Sequence, residues 1–514
     1  MLALVPRPHT LRMSPEEEAL TLRAAAGIAA AGAARPVAEL LAASLRSRGG
    51  ATAVAEADDA AVITLELTGR DDSLGASDGR IADESYTLDV TSDAITVSAA
   101  EPAGLFRGTQ TLLQLLPVDL SSSAQVPVLH IEDAPRFGYR GVMLDVARHF
   151  FPVADVLRIV DALAHLKINA LHLHLTDDQG WRIQIDSWPN LTAVGATGAV
   201  GDAPGGFYTK DDLRRIVAYA AERFITVVPE IDLPGHTNAA LHSYPELNAD
   251  GVAPQAYHGI EVGFSSLSAS PERAEATDRF LRDVLGEVAE LTPGPWLHIG
   301  GDESLSTSAE DYRDLVRRIT AAAAATGKRV IGWHEIGACD ELPAGTVAQY
   351  WSFVTPVAPA ADQVRAVVAR GGQVIMSPAD VAYLDIRYPE DVATPGGYPL
   401  GLDWADGPTS FAAAYDWEPT AIVDGVAESD ILGVESPLWT ETVLTRADVE
   451  HLAFPRAAAL AEIGWSTAGD REVEEFAARV AALGPAWDAA GIRYARVSEV
   501  PWGSSGRGRR DATV

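Results

Sequence analysis

From residue 139 onward, apolar runs of strand length alternate with amphipathic stretches of helical spacing. This alternation constrains the fold more than any other feature of the chain. The runs span 142–146, 170–175, 225–230, 296–299, 330–333, 347–351, 373–376 and 433–438, and segments such as 153–166, 210–222 and 271–291 lie between them. Eight such units predict an α/β fold, a parallel (β/α)8 TIM barrel, with a doubly wound sheet as the alternative.

The 514 residues exceed one ordinary core, which makes two domains the expectation. Upstream of the barrel, residues 1–20 are extended and proline-containing, and 15–48 carry helical spacing up to Gly49-Gly50. Residues 61–67 alternate as a strand does, and 86–90 with 94–98 predict a hairpin around Thr91-Ser92-Asp93. Residues 104–116 predict a helix closed by Pro117. We therefore expect a small α+β domain over 1–134, the barrel over 135–502 and a flexible Gly/Arg/Ser-rich tail over 503–514. Residues 473–490 predict one further helix, with 491–502 packing back on the barrel.

A formal net charge of -33 argues against nucleic acid or an anionic membrane as partner. Cys339 is the only cysteine, which excludes an intrachain disulfide and a cysteine-based metal site. No charged start followed by an apolar run is present, and no stretch is long and apolar enough for a membrane span. The expected compartment is the cytoplasm, or the exterior with an export signal absent from this sequence.

Chemistry-bearing residues recur where the predicted strands end. The run at 296–299 breaks at Gly300-Gly301 and delivers Asp302 and Glu303. Ser308 with Asp311 forms a capping-box signature, apolar positions recur at helical spacing after it, and Gly327 stands at a C-terminal cap position. The two acids thus lie in a strand-to-helix loop, where α/β barrels place their chemistry. Taken alone, adjacent acids after glycines are more readily explained by a solvated turn or by the helix dipole. The other ends contribute Asp145, Arg148 and His149; Asp177 and Asp178; Glu230, Asp232 and His236; Trp333 and His334; Tyr350 and Trp351; Tyr383 and Asp385; and Trp439 and Glu441. Carboxylates, one arginine and several tryptophans suit a neutral polyhydroxylated ligand, and an acid of raised pKa suits glycoside hydrolysis. His172 and His174 alternate on a strand and face the same side. Without an H-E-x-x-H helix, the favoured reading of both, and of His298, is packed strand histidines rather than zinc ligands. His236 follows Pro234-Gly235 in a loop, and we expect it to hydrogen-bond Asp177 and support the acid.

The motifs HIGGDES (298–304), RGVMLDVARHFF (140–151), LHLHLTDDQGWRI (171–183), VPEIDLPGHTNAAL (228–241), GWHE (332–335), YLD (383–385) and PLWTET (437–442) resemble those of bacterial glycoside hydrolase family 20 β-N-acetylhexosaminidases. GLFRGTQTLLQLLP (104–117) resembles the end of the α+β domain that precedes the barrel in that family. The resemblance implies an exo-acting enzyme that releases terminal β-linked GlcNAc or GalNAc with retention, the substrate's own acetamido oxygen forming an oxazoline. It assigns Glu303 as general acid and base, Asp302 as the group orienting the acetamido nitrogen, and Tyr383 as a hydrogen-bond donor to the acetamido oxygen. Trp333, Trp351 and Trp439 would wall the pocket. Arg148, Asp385 and Glu441 would hold the outer hydroxyls, Asp177 and His236 would support Glu303, and Trp404 would meet the leaving group or the next sugar. No metal and no organic cofactor is implied. The implied partner is an oligosaccharide ending in an N-acetylhexosamine. A disaccharide-releasing relative such as a lacto-N-biosidase, and a catalytically silent carbohydrate-binding barrel, are the alternatives.

Overall fold

The computed structural model describes residues 2–56, 61–69, 82–469 and 471–503. Apart from Gly503, the tail expected over 503–514 lies outside the described residues. Eight parallel strands close into a barrel, which excludes the doubly wound alternative. They are β1 (Tyr139–Asp145), β2 (Ala170–His174), β3 (Thr226–Glu230), β4 (Trp296–His298), β5 (Arg329–Trp333), β6 (Val347–Tyr350), β7 (Gln373–Met376) and β8 (Ile431–Ser436). Closure is made by β1 pairing with β8, Tyr139 opposite Gly433 and Val142 opposite Ser436.

The barrel interior is layered. Tyr139, Ala170, Val228, Trp296, Ile331, Val347, Ile375 and Leu432, one from each strand, form a separate buried apolar cluster. Beyond it, toward the C-terminal ends, lie the fully buried polar side chains His172, Glu230, His298, Gln349 and Glu435. Buried charge at this depth is tolerable only when paired. The His172 imidazole bridges Glu230 at 3.1 Å and Glu435 at 2.9 Å, and His298 Nδ1 meets Glu230 at 2.9 Å. Tyr139 and Gln349 donate to Glu435. His172 and His298 are thus packed strand histidines with carboxylate partners.

The N-terminal domain is a seven-stranded sheet in the order Thr10–Met13, Leu129–Asp133, Tyr86–Val90, Ile95–Ala99, Ile63–Leu67, Ile28–Ala30 and Val54–Ala55. Helices Arg35–Ser47 and Pro102–Leu115 pack against it. The hairpin is present, with Tyr86 opposite Ala99. The helix expected over 15–48 is confined to Arg35–Ser47. Leu20–Leu22 instead pairs with Ala124–Val126, and Ile28–Ala30 joins Ile63–Leu67 in parallel. Alanine and leucine spacing is compatible with either state, and distant strand partners override it. The helix expected over 473–490 is two, Val473–Ala481 and Gly484–Ala490, because Pro485 removes a backbone donor and fits only a first turn. The chain after Gly491 does pack back, with Trp502 against Trp487 and Tyr494. No helix of the described residues is long and apolar enough to cross a membrane.

The domains are locked by buried ion pairs. Glu84 accepts from Arg107 of the Pro102–Leu115 helix and, at 2.7 Å, from Arg140 of β1. Asp133 accepts from Lys167 at 2.8 Å and from Trp465 Nε1 at 2.9 Å. Replacing Glu84 by leucine strands two guanidinium groups in the interface. Removing one partner of a buried pair typically costs about 3–5 kcal/mol. Glu84→Leu should lower the urea midpoint accordingly, and an unchanged midpoint would show that the pairs do not hold the domains.

Candidate active site

The loop leaving β4 runs Ile299, Gly300, Gly301, Asp302, Glu303. Gly300 has φ +67°, and a Cβ there would lie 1.6 Å from the Asp232 carboxylate. Only glycine permits this approach, and it brings the loop against the end of β3. Glu303 itself adopts φ +44°, a left-handed conformation rare for a long side chain. The Tyr312 hydroxyl donates to the Gly301 carbonyl, tying the loop to the helix Ala309–Ala325. Ser308 caps that helix by accepting from Asp311 N at 3.1 Å, while the Asp311 carboxylate accepts from Ser308 Oγ.

His236 gathers the acids. Its Nδ1 meets Asp177 at 3.2 Å, and its Nε2 lies 3.7 Å from Asp302 and 3.6 Å from Glu303. The first is a hydrogen bond; the other two are electrostatic contacts at ion-pair range. Burial opposes a charge on His236, but the Asp177, Asp232 and Asp302 carboxylates outweigh it and hold the imidazole pKa well above its ordinary value. Asp177 is buried with both oxygens engaged, by His236 and Asp178 N on one side and by His174 and Arg148 on the other. Its carboxyl is held well below the usual range, because Arg148 and His236 outweigh the effect of burial. Asp177 therefore stands behind the pocket rather than in it. Asp302 differs: burial pushes it up to about 7, with His236 opposing and Glu303 reinforcing.

Aromatic side chains form the walls. Trp333 is buried and donates to Glu230 at 3.0 Å. Its ring lies 5.9 Å from Trp439, which stacks edge-on against His174 at 4.8 Å. The Tyr383 ring lies 6.4 Å from Trp439 and 5.7 Å from Trp404, and Trp404 lies 6.0 Å from Trp351. Trp404 is 45% exposed and sits at the rim. Burial, Asp385 and Asp302 hold the Tyr383 hydroxyl well above its ordinary pKa, so it is a proton-bearing donor beside Asp302.

The remaining wall is polar. Arg148 lies 4.8 Å over Trp439 and pairs with Asp177 at 2.9 Å. Asp385 and Glu441 are both raised, first by burial; each also feels a neighbouring carboxylate, Glu441 for Asp385 and Asp145 for Glu441. Asp385 Oδ2, Glu441 Oε2 and Asp302 Oδ1 are buried without a hydrogen-bond partner among the described residues. Buried acceptors of this kind suit ligand hydroxyl and amide donors. Of the residues singled out in the sequence, Asp177, His236, Asp302 and Glu303 are joined through the imidazole, and Trp333, Trp351, Tyr383, Trp404 and Trp439 adjoin one another.

Two contributors received no role in the sequence reading, although both stand in the stretches it singled out. Glu230, at the end of β3, binds His172, His174, His298 and Trp333 and so joins the barrel interior to the pocket wall. Glu335, within the GWHE motif, accepts from Trp351 Nε1. The acidic end of an otherwise apolar strand was the signal for the first; only a side-chain contact identifies the second. Sets such as His172, Glu230 and His298, or Asp232, His236 and Asp302, bring possible metal-ligand atoms within 4.8 Å of one another. In both sets, imidazole and carboxylate already pair with one another.

The raised Asp302 has a thermodynamic consequence. The folded state holds its proton more tightly than an unfolded chain, where aspartate titrates near ~3.9. Ionising it therefore costs stability, nothing below about pH 4 and fully above about pH 7. Asp302→Asn should raise Tm relative to the parent progressively across that interval. A difference in Tm that stays flat with pH would contradict the desolvation of Asp302.

The model of the glycosyl hydrolase family 20 catalytic domain matches residues 137–468, and the model of that family's domain 2 matches residues 1–134. A β-N-acetylhexosaminidase of Cellulomonas fimi is 43% identical over 424 residues, which is 82% of this chain and 82% of that protein. The structure of the Streptomyces plicatus N-acetyl-β-hexosaminidase in complex with Thio-NAglucal superimposes with a TM-score of 0.90 at 42% identity, covering 98% of each chain. The β-N-acetylhexosaminidase from Streptomyces coelicolor A3(2) gives a TM-score of 0.89 at 41% identity, covering 98% of this chain and 99% of that one. Matched along both domains and this similar to its relatives, the chain belongs to glycosyl hydrolase family 20.

Proposed function

We propose that the protein is an exo-β-N-acetylhexosaminidase that hydrolyses terminal β-linked GlcNAc or GalNAc with retention. One observation carries the reading: Asp302 and Glu303 both approach the same His236 nitrogen, 3.7 and 3.6 Å away. They therefore stand on one side of the pocket. The usual retaining scheme needs an acid and a nucleophile flanking the bond, about 5–5.5 Å apart on opposite sides. Adjacent residues converging on one imidazole do not supply that arrangement, and a substrate-borne nucleophile removes the need for it.

The roles are those the family resemblance implies, and the placement of the residues supports them. Glu303, at the more open side of the pair, donates a proton to the departing glycosidic oxygen. The substrate's acetamido oxygen attacks the anomeric carbon, and the Tyr383 hydroxyl donates a hydrogen bond to it. Asp302, buried beneath the acetamido group, accepts from its N–H and stabilises the positive charge that develops there. Its raised pKa falls when that charge appears, so the carboxylate is strengthened where the transition state needs it. Glu303, now ionised, takes a proton from the water that opens the oxazoline. Trp333, Trp351 and Trp439 enclose the ring and acyl group, Arg148, Asp385 and Glu441 hold the outer hydroxyls, and Trp404 meets the next sugar at the rim. Binding of the outer hydroxyls by Arg148, Asp385 and Glu441 would make the site a dead end and the enzyme exo-acting.

Hydrolysis of paired aryl β-glycosides tests this. The 2-acetamido substrate should be cleaved and its 2-hydroxy counterpart left almost untouched; equal rates would overturn the proposal. Glu303→Gln should lower turnover of poor leaving groups by roughly 10²–10⁴-fold. Asp302→Asn should cripple the acetamido substrate in the same assay, and full activity of that variant would remove the acetamido nucleophile from the mechanism.

A further inference from the structure

Glu335 has no part in the mechanism above, yet it is half-buried and feels the Asp302 carboxylate. It lies in the 3-10 turn His334–Ala338 that directly follows β5. Trp351 directly follows β6. Trp351 Nε1 donates to both Glu335 oxygens, at 3.0 and 2.9 Å. The neighbouring His334 holds the same residue by its backbone, Nδ1 accepting from Trp351 N at 3.4 Å, and the two rings lie 5.5 Å apart. Burial pushes His334 down to about 3, so the imidazole is neutral and able to accept. The pair His334-Glu335 thus grips Trp351 at its backbone and at its indole edge. Elsewhere the same indole lies edge-on to Trp404 at 6.0 Å and packs against the cluster of Ala379, Tyr383, Ile386 and Ala405.

We propose that Glu335 is a positioning residue that sets which N-acyl groups the pocket accepts, by fixing the orientation of the Trp351 indole. The inference rests on the hexosaminidase reading, in which Trp351 walls the acetamido group. A tryptophan on a pocket wall has two rotatable bonds, and one face of it is left for the ligand. Without the carboxylate, the indole N–H loses its acceptor and the ring loses the bond that fixes its angle. On that reading the wall stops just beyond the acetyl methyl group, and a turned indole leaves room behind it. A wall set that closely discriminates by a single methylene, which in an apolar pocket is worth roughly 10–200-fold.

The charge state of Glu335 selects the control variant. Burial, reinforced by the Asp302 carboxylate, raises its carboxyl to about 8. At neutral pH it is largely the uncharged acid, whose shape and acceptor oxygen glutamine reproduces. Glu335→Gln should therefore keep Trp351 in place, whereas Glu335→Ala removes the acceptor and Glu335→Asp draws it back by one methylene.

The test is hydrolysis of 4-nitrophenyl β-glucosaminides carrying N-acetyl, N-propionyl or N-butyryl groups, by the parent and by these variants. The readout is the ratio of kcat/KM for N-acetyl over N-propionyl, which a general loss of activity does not move. The parent and Glu335→Gln should share one ratio within about twofold. Glu335→Ala should narrow it by roughly tenfold, the size of one methylene's discrimination. If the alanine variant fails to fold, Glu335→Asp should narrow the ratio in the same direction. A parent ratio retained in the alanine or aspartate variant overturns the role of Glu335 and leaves the hydrolase reading standing. A parent enzyme inactive on the N-acetyl substrate overturns both.

Discussion

His236 stands between three carboxylates, hydrogen-bonded to Asp177 at 3.2 Å and facing Asp302 and Glu303 at 3.7 and 3.6 Å. Packing this many acids at one barrel mouth is unfavourable unless positive charge is interleaved among them. The imidazole, with Arg148 on the far side of Asp177, supplies it. Asp177 is thereby kept ionised, and in turn keeps His236 charged and oriented. Asp302 is the member left incompletely compensated, with Oδ1 buried and unpartnered. It therefore rises to about 7 while Asp177, at the other nitrogen of the His236 ring, falls. Two aspartates of the same chemistry acquire opposite character from their surroundings, one as scaffold and one as a responsive group.

The same requirement reaches down into the barrel. An apolar layer with one residue from each strand closes the N-terminal end. Above it, Glu230 and Glu435 are buried with His172, His174 and His298. Glu230 also accepts from Trp333, so the pocket wall is fastened to the polar layer beneath it. A pocket rigid enough to orient a sugar needs side chains whose rotamers are already determined, and these bonds determine them. The glutamate after β5 does the same for Trp351, from the neighbouring strand end.

Much of this was legible in the chain. All eight barrel strands were marked by apolar runs, because a strand buried on both faces needs apolar residues throughout. The site residues were marked by their position just after those runs, because a barrel brings all its strand ends to one mouth. Asp302 and Glu303 stood out behind Gly300-Gly301, glycines that the tight approach to Asp232 demands. The N-terminal domain was less legible. Leu20–Leu22 and Ile28–Ala30 are short, and their partners lie about a hundred and about thirty-five residues downstream, so local spacing carried no sign of them. The break at Pro485 was the opposite case, a local signal outweighed by the apolar spacing around it.

The sequence by itself determined the two-domain plan, the barrel and the set of residues at its mouth, since each depends on periodicity, turn chemistry or motif spacing along the chain. The division of labour among those residues was decided by the tertiary structure. Nothing in the order of residues says that Asp177 is held ionised while Asp302 is raised, that His172 bridges two glutamates, or that Glu335 holds Trp351. These are properties of distance and burial between elements far apart in the chain. A carboxylate's character is set by the charges and solvent around it, and only folding brings those neighbours into place.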